Sequence, residues 1–115
     1  MPDSTDLDAL VADIVVDCYG DDEQDTAFLT VLEEECELPA AATLLGAPVT
    51  VTGFDVTPRG LVATCQGPHG TGQVSLADLA FAPDTLTACI HAAYRHHLGL
   101  PPFPARSRPD WTWGT

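Results

Sequence analysis

Positive charge is what this sequence has least of. Its 115 residues include four Lys and Arg against 17 Asp and Glu, for a net charge of −13 and a pI near 4.1. Without a basic stripe to lie along phosphates, nucleic-acid binding through the backbone is excluded. The same sign excludes docking on an anionic membrane surface. Long apolar runs are missing too, since no stretch approaches the ~18 residues that span a bilayer. The opening MPDSTDLD has no positive n-region, so no signal peptide is expected and a cytoplasmic location is. Close cysteine pairs are absent. Cys18, Cys36, Cys65 and Cys89 are far apart in the chain, which excludes a CxxC-based zinc site or a thioredoxin-type centre. In a reducing compartment they read as small buried or half-buried hydrophobes. There are no internal repeats.

Catalytic motifs are equally scarce. No G-x-S-x-G elbow is present. Gly67-Pro68-His69-Gly70-Thr71-Gly72 lacks the GK[ST] ending and following helix of a phosphate loop, and reads as a hairpin connection. His91, His96 and His97 lie at i, i+5 and adjacent spacings, which put no two imidazoles on one helical face. They read as surface or rim histidines, with His96 and His97 complementing a helix C-terminus when charged. No enzyme is expected.

What the chain does have is acid, concentrated in Asp17–Glu37. This segment holds nine of the 17 acidic residues, and no basic residue precedes Arg59. The acids form two clumps: Asp17, Asp21, Asp22, Glu23 and Asp25, then Glu33, Glu34, Glu35 and Glu37. Between them Ala27, Phe28, Leu29, Val31 and Leu32 recur at helical spacing, so residues 21–37 are expected to form one amphipathic helix. The first clump suits the positive end of the helix dipole. The second opposes the negative end, and Glu33 and Glu37 repel at i, i+4; each such term costs roughly 0.2–1 kcal/mol. Two readings fit this pattern: a solvated acidic face, or a set of carboxylates that holds a cation. A linear EF-hand loop is excluded, because Gly20 precedes the acids instead of following them. A discontinuous oxygen-rich site stays open, and calcium suits it better than a transition metal, with only Cys18 and Cys36 nearby as softer ligands.

The rest of the chain predicts an α+β domain. Leu7, Leu10, Val11, Ile14 and Val15 mark a first helix, capped by Thr5 or Asp6 and running to about Cys18, where Gly20 allows a sharp turn into the acidic helix. Together the two form an N-terminal helical hairpin, ended by Pro39. Residues 48–56, 61–66 and 73–76 alternate or are β-branched and read as strands, with Leu79-Ala80-Phe81 following. Short strands joined by Gly/Pro turns suggest a small, strongly bent SH3-like antiparallel β-barrel or sheet. A C-terminal helix starts at Pro83-Asp84 and runs to about Leu98, with Leu86, Ile90, Ala93 and His97 on one face. Residues 1–98 are expected to be a single domain. Residues 99–115, rich in Pro, Arg and Trp, are expected to be an extended tail outside the core.

The segment Val16-Asp17-Cys18-Tyr19-Gly20-Asp21-Asp22-Glu23 resembles the V-D-x-Y-x-x-x-E opening of the small calcium-binding proteins first described from cyanobacteria, the CcbP-like family. Phe28 to Glu34 is similar to the family helix ending Y-L-E-[DE]. Val74-Ser75-Leu76-Ala77-Asp78-Leu79 is similar to its V-P-L-x-x-L strand, and Thr87 to Leu98 to its closing helix. The likeness spans roughly residues 14–98. Leu38 and Ala40 stand where the family has aromatics, and Tyr94 and His97 where it has tryptophans. The resemblance implies an α+β fold with an SH3-like barrel and a cytosolic calcium buffer or sensor. Carried over residue by residue, Asp17, Asp21 and Glu23 match the opening motif and Glu33 and Glu34 the helix end, with Asp22 adjoining. The alternative is an acidic interaction module (inhibitor, immunity factor, DNA mimic or accessory subunit) whose carboxylates dock a basic protein partner.

Overall fold

The computed structural model describes residues 4–16, 18–68 and 70–105. The first helix, α1 (Ser4–Ile14), places Leu7, Leu10 and Ile14 in the core, as their spacing dictates. The side chains of Thr5 and Asp6, the expected caps, lie outside the described part. The helix stops at Ile14 and not at Cys18. Ile14, Val15 and Val16 are β-branched and stiff at χ1, which weakens the helix where they cluster. One further turn is held by Val15 N–H on Val11 O, 2.9 Å.

The second helix, α2 (Asp21–Glu35), ends two residues before the expected limit. Cys36 has left helical geometry, though its N–H still reaches Leu32 O at 2.9 Å. Phe28, Val31 and Leu32 are buried, while Asp22, Glu23, Glu33, Glu34 and Glu35 are exposed. Burying a side chain the size of Phe28 contributes about 1.5–3 kcal/mol, several times the repulsion expected between neighbouring carboxylates. The packing therefore decides that this acidic segment is a helix.

Five antiparallel strands follow, in the order β4-β3-β2-β1-β5. They are β1 (Ala40–Leu44), β2 (Ala47–Thr57), β3 (Gly60–Gly67), β4 (Gly70–Ser75) and β5 (Leu79–Phe81). β1 was not expected. Its sequence, AAATL, contains one β-branched residue, and it is a strand because β2 pairs with it on one side and β5 on the other. β4 begins at Gly70, three residues before the expected Gln73, because pairing with β3 already starts at Gly67–Gly70. Among the described residues β4 and β5 do not pair, so the sheet is open and not a closed barrel. Alternate side chains, among them Ala42, Val51, Leu61, Ala63 and Cys65, enter the core, on the side where α2 and α3 pack. The opposite side carries Thr43, Thr50, Thr64, Gln66, Thr71 and Gln73.

A single 3₁₀ turn, Leu76–Asp78, leads into β5, and α3 (Leu86–His97) closes the fold. Thr85, not Asp84, caps α3: its hydroxyl accepts the Ala88 N–H at 3.2 Å. The helix is buried from Thr87 to Tyr94. α1 meets α2 but packs more extensively on α3, so the helical layer is organised around α3 and not as a hairpin alone. No helix among the described residues is long and apolar enough to cross a membrane.

Candidate functional site

The acidic residues expected to act together are divided between the two ends of α2. At the N-terminal end, Asp17 and the side chain of Asp21 lie outside the described residues. Asp22 and Glu23 are exposed in the first turn. Gly20 occupies the cap position and offers no side chain, so the helix start borrows one from within: Glu23 Oε2 accepts the Tyr19 N–H at 3.0 Å. Cys18 Sγ lies 3.5 Å from Glu23 O. The result is a tight loop on which Tyr19 stands 90% exposed. Further along, the Thr26 and Thr30 hydroxyls donate to the carbonyls of Asp22 and Thr26, each at 2.9 Å.

At the C-terminal end Glu33, Glu34, Glu35 and Glu37 are exposed, and none forms an ion pair among the described residues. The last turn of a helix leaves carbonyls without intrahelical partners, so their negative potential adds to that of the nearby carboxylates. From Glu23 to Glu33 the helix rises ~15 Å. Calcium holds its oxygens at about 2.3–2.6 Å. Asp22 and Glu23 therefore cannot share an ion with Glu33 and Glu34. No group of three or more His, Cys, Asp or Glu close enough to hold a metal occurs among the described residues.

Beneath the acidic helix the polar groups are buried and matched. Thr87 donates to Cys36 Sγ at 3.0 Å, tying the end of α2 to the start of α3. Burial pushes the Cys36 thiol up, and the Thr87 bond only partly opposes this. The Tyr94 hydroxyl accepts the Leu61 N–H at 3.1 Å and sits edge-on to Phe28, with ring centroids 5.4 Å apart. Burial raises the Tyr94 pKa, the Leu61 bond lowers it, and the charge of Asp25 raises it. Three of the cysteines are buried and Cys18 is half-buried, as small hydrophobes would be.

The histidines divide differently from the surface reading. His91 is 1% exposed, with Nε2 2.8 Å from Leu76 O. Phe81 meets its ring edge-on and Phe103 stacks over it at 5.6 Å. Desolvation lowers its pKa to about 4, against the raising effect of the Leu76 bond. His96 Nε2 approaches Asp8 Oδ1 at 2.5 Å and links α3 to α1. His97 lies against Phe28. His69 is outside the described residues.

Phe103 also corrects the expectation that the chain after residue 98 leaves the core. Arg95 donates to Ala77 O at 2.5 Å and to Pro101 O at 2.7 Å, and its guanidinium lies 3.9 Å above the Phe103 ring. Ala105 is buried. Residues 101–105 thus form a strap held across α3. Arg106, Arg108, Trp111 and Trp113 lie outside the described residues. A shallow groove of about 470 Å³ at one end of the sheet is lined by Ala41, Pro48, Val49, Thr50, Gln66 and Pro68 among others, with no ionisable side chain on its walls.

A scan against protein-family models found no match, and a search of curated proteins by sequence found none. A search of solved structures matched the crystal structure of Anabaena CcbP with a TM-score of 0.68. The alignment covers 88% of this chain and 96% of that one, at 15% sequence identity. The two chains share a fold.

Proposed function

We propose that this protein binds calcium through carboxylates at the ends of α2 and acts as a cytosolic buffer or sensor with no catalysis of its own. One observation carries the reading: exposed carboxylates stand at both ends of a single helix, and those at its C-terminal end have no ion-pair partner among the described residues. The fold shared with Anabaena CcbP and the V-D-x-Y-x-x-x-E spacing at the α1–α2 junction support it as well. Asp17, Asp21, Asp22 and Glu23 would serve one ion, and Glu33 and Glu34 another. Each ion would relieve repulsion that α2 now sustains, and at the C-terminal end it would also meet the negative pole of the helix. Water and backbone carbonyls would supply the remaining oxygens of a 6–8-fold shell.

Calorimetry and thermal melting of the full chain with calcium, then magnesium, test this. Ligand at a hundredfold excess over Kd stabilises the native state by about 2.7 kcal/mol. Absence of both heat and melting shift at millimolar calcium refutes the proposal.

A second reading has its own support. No three candidate metal ligands gather among the described residues, and the Glu33–Glu37 cluster projects into solvent beside the exposed Leu38. Such a surface suits a basic protein partner, for which this chain would be an inhibitor, immunity factor or accessory subunit. Binding that falls steeply with salt and ignores chelator favours it over calcium.

A further inference from the structure

The sheet has one long open edge. β4 pairs with β3 only, and five of its six residues are exposed. Which backbone groups face outward follows from the two hairpins. In the β2–β3 hairpin the two-residue turn Pro58-Arg59 closes on the pair Thr57–Gly60. A two-residue loop closes on a hydrogen-bonded pair, so Gly60, Val62, Thr64 and Gln66 turn their N–H and C=O groups towards β2. Leu61, Ala63, Cys65 and Gly67 then turn theirs towards β4. The Leu61 N–H agrees with this: it lies just beyond the last β4 pair and is taken by the Tyr94 hydroxyl. The β3–β4 hairpin, closing Gly67 on Gly70, has the same parity. On β4, Gly70, Gly72 and Val74 bond inward. Thr71, Gln73 and Ser75 present their backbone N–H groups outward, and Thr71 and Gln73 their C=O groups, with no partner for them among the described residues; the Ser75 C=O is the first acceptor of the 3₁₀ turn Leu76–Asp78.

Natural sheets guard such an edge with Lys, Pro, a bulge or a covering element. GTGQVS has none of the first three, and no described element runs along its outer side. The neutrality is local. Of the 17 acids, 13 lie in residues 1–37, and Asp55 is the sole acid from residue 38 to 77. Asp55 and Arg59 are the only Asp, Glu, Lys or Arg from residue 38 to 77, so two copies meeting along the sheet bring little like charge together.

We propose that β4 is a self-pairing edge, on which a second copy of this chain adds its own β4 antiparallel across a two-fold axis at Gln73. Gln73 exchanges two hydrogen bonds with Gln73 of the other copy, and the Ser75 N–H of each copy donates to the Thr71 C=O of the other, four bonds in all. On the solvent side Thr71 faces Ser75, a favourable cross-strand pair. On the core side Val74 faces Gly72, whose missing side chain leaves room for the valine. No like charges meet. Both helical layers then lie on the same face of one continuous sheet, each α2 packed on β2 and β3 of its own copy. The contact is narrower than the roughly 1,200–2,000 Å² of a stable interface, so the dimer is weak and concentration-dependent.

The test uses the full chain from micromolar to millimolar concentration, with sedimentation velocity and amide hydrogen exchange. The expected result is a reversible monomer–dimer equilibrium. The Gln73 and Ser75 amides exchange more slowly as concentration rises, while Gly72 and Val74 are protected throughout. Gln73→Pro removes an outward N–H that β3 does not use, and Gln73→Lys sets two ammonium groups face to face. Both variants keep the wild-type circular dichroism and remain monomeric. A wild type that stays monomeric at millimolar concentration overturns the proposal, as does a dimer that survives Gln73→Lys. Protection of the Gln73 and Ser75 amides at every concentration also overturns it, because the chain would then be covering its own edge.

Discussion

His91 makes the stability of this protein depend on pH in a range where most carboxylates are already ionised. The imidazole is neutral in the fold: its Nε2–H donates to Leu76 O, and Phe81 and Phe103 exclude water from the ring. Its pKa falls from 6.5 to about 4, chiefly through desolvation. The unfolded chain takes up the proton near pH 6.5, whereas the folded chain refuses it until about pH 4. The unfolded state therefore binds more protons between these limits, and stability declines as pH falls through them. A tenfold change in proton affinity is worth ~1.4 kcal/mol, so the loss between pH 6.5 and 4 amounts to about 3 kcal/mol. Against a total of roughly 5–15 kcal/mol for an ordinary domain, that is a large fraction. His91→Gln keeps a donor near the Nε2 position but does not titrate. The measurement is urea denaturation of both proteins from pH 7.5 to 4. The stability gap between wild type and variant should shrink or reverse by about 3 kcal/mol on acidification. A gap that stays constant with pH refutes the buried, neutral histidine.

Four further sets of substitutions have outcomes set by the same structure. Tyr94→Phe leaves the Leu61 N–H unpaired in the core and should cost about 1–3 kcal/mol in denaturant unfolding. Gly60→Ala should be at least as harmful, since φ is +115° and a Cβ would stand 3.0 Å from the Tyr94 hydroxyl. Phe103→Ala removes the ring between His91 and Arg95; for a half-buried Phe the loss should be about 1–3 kcal/mol, below the 3–5 of a fully buried one. Limited proteolysis should then cleave near residues 99–105 faster. The pair Glu33→Gln and Glu34→Gln should raise the melting temperature in chelator, most clearly at low salt, and reduce the calcium-induced rise.

The helices were legible because their stripes are strong. Leu7, Leu10 and Ile14, then Phe28, Val31 and Leu32, repeat at the spacing that one buried face requires, and all six are in the core. β2 and β3 were legible from β-branched alternation between turn residues. β1 was not, because three alanines have no period to read and only the strands on either side make Ala40–Leu44 extended. The openness of the sheet was hidden for a related reason. Turn residues show that strands reverse, but whether the last strand reaches the first depends on twist and on what fills the gap. Here β5 joins β1 and leaves β4 at the opposite edge. The strap at residues 101–105 was not legible because Pro-rich composition describes a chain without a partner, and Arg95 supplies one.

The candidate site was half legible, and geometry explains the division. Sequence proximity placed Asp22, Glu23, Glu33 and Glu34 in one segment, and the helix converts that proximity into distance at about 1.5 Å per residue. Crowding along the chain is thus not crowding in space. Repulsion acts within each clump, between residues one to four apart, and hardly at all between them once salt screens the ~15 Å span. The consequence is specific. If calcium binds, neutralising Glu33 and Glu34 should abolish one binding event and leave the other, whereas a single shared site would lose all binding. Calorimetric titration of that double variant beside a Glu23→Gln variant therefore reads out whether the two ends of α2 act separately. Full loss of calcium heat in both would show that one ion is shared through some rearrangement of the helix.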